Sequence, residues 1–250
     1  MNTTLAPTPV TPSTGAAPIV PRFDMYAGVH KALRSFMADT LVRVGRLDVA
    51  DPRDLDTTLG QLDALFTLCL SHIAHENEFV HTAIEARQPG AAARTGSDHA
   101  EHRDSIDALR AEAAALRRVA PQTQPASALR LYHHLSLFVA ENFEHMHIEE
   151  SVNNAALWAA YTDAELIEIH GRLVASIAPP EFVLTARWMV PALTPLERAM
   201  LLRGIQAQTP PEAFLGLLAG LRPHIDAGGW DKLVAAVGVA PDFMMAGESS

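Results

Sequence analysis

Apolar residues recur every three or four positions over four long stretches, the period of an amphipathic helix. The stretches run over about Phe23–Arg46, Asp54–Arg87, Ser97–Val119 and Ala128–Ala160, with Ser97 read as an N-cap. Pro89-Gly90 closes the second, and the proline-bearing segment PQTQPAS separates the third from the fourth. Strand signals are nearly absent. Links this short favour antiparallel neighbours, so the pattern predicts an all-α chain whose residues 22–160 form an up-down antiparallel four-helix bundle. Residues 161–240 predict a C-terminal helical extension of three to five shorter helices. Thr162-Asp-Ala-Glu165, Thr194-Pro-Leu-Glu197 and Thr209-Pro-Pro-Glu212 each fit a capping box, and the last two place Pro at the first helical position. The Thr-, Pro- and Ala-rich residues 1–21 and the final residues 241–250 read as tails.

The inward stripes of the bundle carry polar residues at related positions. The second helix reads Leu62, Leu65, Cys69, His72, Glu76, Phe79, Ala83, and the fourth reads Leu135, Phe138, Asn142, His145, Glu149, Val152, Ala156. Each places one His and one Glu, an i,i+4 pair, on an otherwise mostly apolar face. The first helix contributes Phe23, Tyr26, His30, Leu33 and Met37, and the third His99, His102, Ile106, Leu109 and Leu116. The offset from His72 to His145 equals that from Glu76 to Glu149, and the offset from His30 to His102 is shorter by a single position. One helical hairpin thus repeats the other. Within the hairpins, the separation from His30 to His72 falls one position short of that from His102 to His145. Counted from His99 instead, the second separation is longer than the first by about one helical turn. Equal separations put side chains at equal depth, which favours His102 over His99 on the third helix.

Two buried carboxylates without compensation would be costly. Divalent cations compensate them, and imidazoles complete the coordination. His30, His72, Glu76, His102, His145 and Glu149 are too many ligands for one tetrahedral zinc site. They suit two octahedral ions bridged by the carboxylates. Mixed N/O ligation favours two iron ions, with manganese or zinc as substitutes, and six protein ligands leave positions open for a small molecule. Around this set, His99 is a possible extra ligand or second-sphere donor. Tyr26, one turn before His30, could hydrogen-bond a metal-bound species or serve as packing. Asn142 could support the ligands, and Cys69 reads as packing. His81–Glu85 has the same spacing but lies off the stripe and reads as coincidence. His75, His133, His134, His147, His170 and His224 read as exposed or capping.

Charge and composition narrow the partners. The formal charge of −10 argues against nucleic acid and anionic membranes, and no apolar run approaches a membrane span. Residues 1–21 lack the basic and apolar regions of a secretory signal. Cys69 is the single cysteine, which excludes an intramolecular disulfide and fits a cytoplasmic location.

The order H … HxxxE … H … HxxxE, with the contexts SHIAHENE and EHMHIEE, resembles the hemerythrin-like (HHE cation-binding) family over about residues 23–155. The resemblance implies a non-haem di-iron centre that binds or senses O₂, nitric oxide or oxidants. An alternative is a di-iron enzyme: a nitric-oxide or peroxide reductase, or an iron donor in iron–sulfur cluster repair. The set of four His and two Glu is closer to the repair-of-iron-centres proteins than to oxygen-carrying hemerythrins, which have a fifth histidine and an aspartate. Repair proteins also carry an N-terminal cysteine pair, which residues 1–21 lack. A ferritin-like site needs Glu-x-x-His on two helices, and in this region Glu78–His81 has that spacing but lies off the inward stripe. The sequence names neither a redox partner nor an oligomeric state.

Overall fold

The computed structural model describes residues 22–239, so the two predicted tails at 1–21 and 241–250 lie outside the described residues. The described residues are all-helical, without a strand, and none of their helices is long and apolar enough to cross a membrane. Helix α1 spans Ala27–Gly45. Helix α2 (Pro52–His75) runs through a π-helical turn (Glu76–His81) into α3 (Thr82–Arg87). Helix α4 covers Ala93–Leu116. A 3₁₀ turn (Pro121–Thr123) then leads into α5 (Gln124–Ile148), a second π-helical turn (Glu149–Asn153) and α6 (Asn154–Ala160). Five further helices follow: α7 Asp163–Ser176, α8 Pro179–Ala192, α9 Pro195–Gln208, α10 Pro211–Leu221 and α11 Ala227–Val237.

Local chemistry sets these boundaries. Asp24 Oδ1 accepts from the backbone N–H groups of Tyr26 and Ala27 at 2.8 and 3.1 Å, so α1 begins after the predicted Phe23. Asp51 caps α2 through the N–H of Arg53, with Pro52 in the first turn. The capping boxes at Thr162/Glu165 and Thr194/Glu197 form as expected. The third does not form: α10 starts at Pro211, and its N-cap is Pro210, without a side-chain cap. Ser97 is likewise no N-cap, because α4 already begins at Ala93.

Helix α1 packs on α2 and α5, and α4 packs on α5 and α2. Their shared apolar cluster includes Phe36, Leu62, Leu65, Phe66, Ile106, Leu109, Leu135 and Phe138. A second cluster, with Met25, Tyr26, Val80, Ile84, Leu157, Leu166 and Ile169, lies beyond the His/Glu belt. The polar belt is therefore flanked by apolar packing at both ends. A third cluster belongs to α8–α11, around Val190, Leu202, Phe214, Leu218, Trp230 and Leu233. Helix α8 lies on α1, where Trp188 stacks on Phe36 with ring centroids 4.0 Å apart. The exposed carbonyls at the end of α8 are satisfied by buried Arg198, which donates to Val190, Pro191 and Leu193.

Candidate metal centre

Both core glutamates stand at the first residue of a π-helical turn. Such a turn inserts one extra residue, which advances the inward stripe by one position. Val80 and Ile84 are thus the most deeply buried residues beyond Glu76, while the predicted Phe79 is only half-buried. Asn153 and Leu157 likewise replace the predicted Val152 and Ala156, and Val152 is 56% exposed. Side-chain donors support both bulges: Thr82 Oγ1 donates to the carbonyl of Asn77, and Asn154 Nδ2 to that of Glu150. Asn77 and Glu150 are related by the same offset as the two His–Glu pairs, so the device repeats with the hairpin.

The belt gathers four histidines around the two carboxylates. His30 Nε2 lies 3.6 Å from Glu76 Oε1 and 3.4 Å from Glu149 Oε2, and His72 Nε2 lies 3.2 Å from Glu76 Oε1. Opposite them, His99 Nε2 lies 3.3 Å from Glu76 Oε2 and 3.5 Å from Glu149 Oε1, and His145 Nε2 lies 3.3 Å from Glu149 Oε2. Two ligand groups result, His30–His72–Glu76–Glu149 and Glu76–His99–His145–Glu149, each with its atoms within 4.8 Å of one another. Both groups share both glutamates.

Three histidines are oriented from behind. His30 Nδ1 meets Glu150 Oε1 at 3.0 Å, His99 Nδ1 meets Asn77 Oδ1 at 2.9 Å, and His145 Nδ1 meets Asp98 Oδ2 at 3.1 Å. Oxygen acceptors here require Nδ1 to carry the hydrogen, so a neutral ring keeps its Nε2 lone pair for the centre. Arg34 in turn clamps Glu150, with Nη2 2.9 Å from Oε2.

Hydrogen bonding inside the belt leaves six inward atoms without a partner: His30 Nε2, His72 Nε2, and both carboxylate oxygens of Glu76 and Glu149. Buried polar groups are seldom orphaned in such numbers. Divalent cations would satisfy all six. The closest nitrogens, Nε2 of His99 and of His145, are 3.0 Å apart. That is the separation of two adjacent ligands on one octahedral ion with bonds of about 2.1 Å. The donor set fits a metal pair.

Charge points the same way. Burial opposes a charged His30, yet Glu149, Glu150 and Glu76 outweigh it and hold its pKa well above the imidazole range. Burial likewise opposes a charged His99, but Glu149 and Glu76 push it up to about 9. Burial dominates at His72 and lowers it to about 4, despite Glu76 nearby. Burial and the repulsion of Glu149 would raise Glu76, but His72, His30 and His99 hold it at about 2. Both carboxylates stay ionised and draw positive charge into the belt.

The residues singled out from the sequence fall into three groups. His30, His72, Glu76, His145 and Glu149 converge. On α4, His99 rather than His102 touches both glutamates. His102 is buried one turn further along, its ring 4.9 Å from that of His145 and 5.9 Å from that of Phe138. Equal sequence separation marks equal depth only when the links match, and the link before α5 contains a 3₁₀ turn. Tyr26 is buried beside His30, with centroids 5.1 Å apart, and Asn153 Nδ2 donates to its hydroxyl at 3.4 Å. Burial, then Glu149 and Glu76, raise its pKa well above the ordinary phenol value, so it keeps its proton. Asn142 turns its amide to the carbonyl of Phe138 on its own helix. Cys69 is packed in the main cluster, and burial pushes its thiol up to about 12.

His81 is the residue that sequence periodicity misplaces. The π turn swings it inward, where it is buried, stacks on His99 at 4.8 Å and places Nε2 3.8 Å from Glu149 Oε1. Thr95 Oγ1 meets the same nitrogen at 3.2 Å. Glu78 is exposed, so the Glu78–His81 pair does not turn inward together. A signal for the shift is present in the sequence, because Ile84 and Leu157 are bulkier than the Ala83 and Ala156 that an unbroken stripe selects. No family model, curated protein or solved structure matches the chain, and the geometry of this belt carries the functional reading.

Proposed function

We propose that this chain is a hemerythrin-like, non-haem di-iron protein whose helices α1, α2–α3, α4 and α5–α6 form an up-down antiparallel bundle around the metal pair. Its function is to bind or sense O₂, nitric oxide or an oxidant. The observation that carries this reading is the pair of ligand groups sharing two fully inward glutamates, with six orphaned polar atoms facing one another. Glu76 and Glu149 would bridge, His30 and His72 would hold the first ion, and His99 and His145 the second. When bound, such a pair supplies open coordination positions and one-electron redox steps for a small diatomic or peroxide ligand.

The protein's own residues set the conditions for that chemistry. Glu150, Asn77 and Asp98 fix the rings so that lone pairs point inward. The apolar clusters on both sides bury the two carboxylates, which keeps their charge weakly screened. Tyr26 keeps its proton at Oη beside His30 and is the nearest phenolic donor to that side of the centre.

Metal analysis of anaerobically purified protein, followed by optical spectra on adding O₂ and NO, tests the proposal. About two iron per chain and a ligand-dependent charge-transfer band are expected. Iron-free protein that gains no band after anaerobic ferrous loading would sink it.

A further inference from the structure

A cavity of about 410 Å³ lies between α1–α2 and the C-terminal helices, within the size range of sites for small organic ligands. Its inner wall includes Tyr26, His72 and Glu76, so it reaches the first ligand group of the belt. Its remaining walls come from both helical regions: Leu68 and Val80 on one side, Leu173, Ile177 and Met189 on the other. Read from sequence, α7–α9 serve packing alone. Here they roof a space that ends at the centre.

The lining decides what could sit there. No Lys or Arg lines the cavity, and its carboxylates are Asp24, Glu76, Glu181 and Glu197. Along the walls away from the inner end, an anionic headgroup would be desolvated beside negative charge with no Lys or Arg to pair with it. A cationic one finds no free carboxylate either. Glu197 is paired with Lys31 at 2.6 Å, Glu181 with His75 at 3.4 Å, Asp24 with two backbone N–H groups, and Glu76 faces the imidazoles. The rest of the wall is mainly hydrocarbon.

We propose that this cavity binds an uncharged, mainly hydrocarbon molecule, seated between the bundle and the C-terminal helices with one end against His72 and Glu76. What it meets there, a metal ion, rests on the reading given above. The cavity itself does not. An occupant would meet His72 of the first ligand group and neither His99 nor His145 of the second, which makes it a position for an organic substrate or for a molecule that occludes one ion.

Displacement of Nile red fluorescence from the full-length protein, both metal-free and iron-loaded, tests this, with 1-decanol and decanoate as competitors and iron content measured on the same samples. From the metal-free protein, where no ion can ligate a carboxylate, decanol is expected to displace the dye at least about tenfold better than decanoate after correction for their partition into water. Gly28→Leu is the blocking variant, because a Cβ at Gly28 points at Met189 with its sulfur 3.8 Å away. It should weaken decanol binding at least about tenfold while iron content stays at the wild-type level. Met189→Ala, which enlarges the same wall, should retain binding. Decanoate binding the metal-free protein as well as decanol does, or Gly28→Leu leaving decanol affinity unchanged, would overturn the proposal. Decanol binding to protein that takes up no iron would uphold the cavity while refuting the metal reading, so the two failures are separable.

Discussion

The two hairpins, α1 to α3 and α4 to α6, supply the centre with nearly the same chemistry but sit in different surroundings. Inside, the correspondence is close: His72, Glu76 and Asn77 answer to His145, Glu149 and Glu150, and both hairpins widen at the glutamate. Outside, the first hairpin is covered by α7 and α8 and borders the apolar cavity. The second opens on a smaller polar recess of about 160 Å³ lined by Asp98, Glu101, Glu141, Glu144 and His102. The orienting groups also differ, a carboxylate behind His30 and an amide behind His99. The two ligand groups are therefore alike in donors and unlike in access.

The strongest test of the inner equivalence removes a shared carboxylate. Glu149→Ala and Glu76→Ala should each lower bound metal from about two ions per chain towards none, because each glutamate belongs to both groups. Mass-spectrometric metal analysis after gel filtration reads this, and a variant retaining both ions would contradict the sharing. Next comes division into halves. His30→Ala should lose one ion and His99→Ala the other, whereas His102→Ala should keep both. If His102→Ala loses an ion and His99→Ala does not, depth matching is the better guide.

Smaller effects should expose the outer asymmetry. Glu150→Ala and Asn77→Ala each free one imidazole and should weaken metal affinity about 10–100-fold, by competition with a chelator. Glu150→Ala should be the larger, because its hydrogen bond is charge-assisted.

The smallest effect concerns the covering helices. Lys31, then the backbone and hydroxyl of Thr194, hold the Glu197 carboxyl at about 2, below its ordinary 4.5. A depressed carboxylate stabilises the fold above its unfolded pKa and loses that contribution as pH falls through its folded value. The attachment of α9 to α1 should thus weaken as pH falls from 4.5 to about 2. The pair is partly exposed, so the effect should not exceed about 1 kcal/mol. Tryptophan fluorescence during acid titration should show it, and Lys31→Met should flatten that part of the curve.

Much of this is legible in the sequence because helical periodicity is a local property. The helices, the two His–Glu pairs and the offset that relates them follow from it directly. The cap at Thr162, the cap at Thr194 and the inert packing of Cys69 are equally readable. What escapes depends on phase and on tertiary contact. A constant helical period cannot show a widened turn, so it places Val152 inside and His81 outside. Depth counted along the chain does not foresee the 3₁₀ turn before α5, and so favours His102. The cavity belongs to the meeting of two helical regions, and no stripe on either one announces it.

The widened turns also decide where in these helices a change of length can be absorbed. Deleting one residue among Asn77–Phe79 would restore ordinary α spacing and leave Ile84 on the inward face, because Val80 and Ile84 would then fall three and seven positions beyond Glu76. A deletion in the flanking α-helical turns has no such reserve and would rotate everything after it by about 100°. The widened turn thus takes up a one-residue loss locally, while the same change in a regular turn is transmitted to the whole remaining helix.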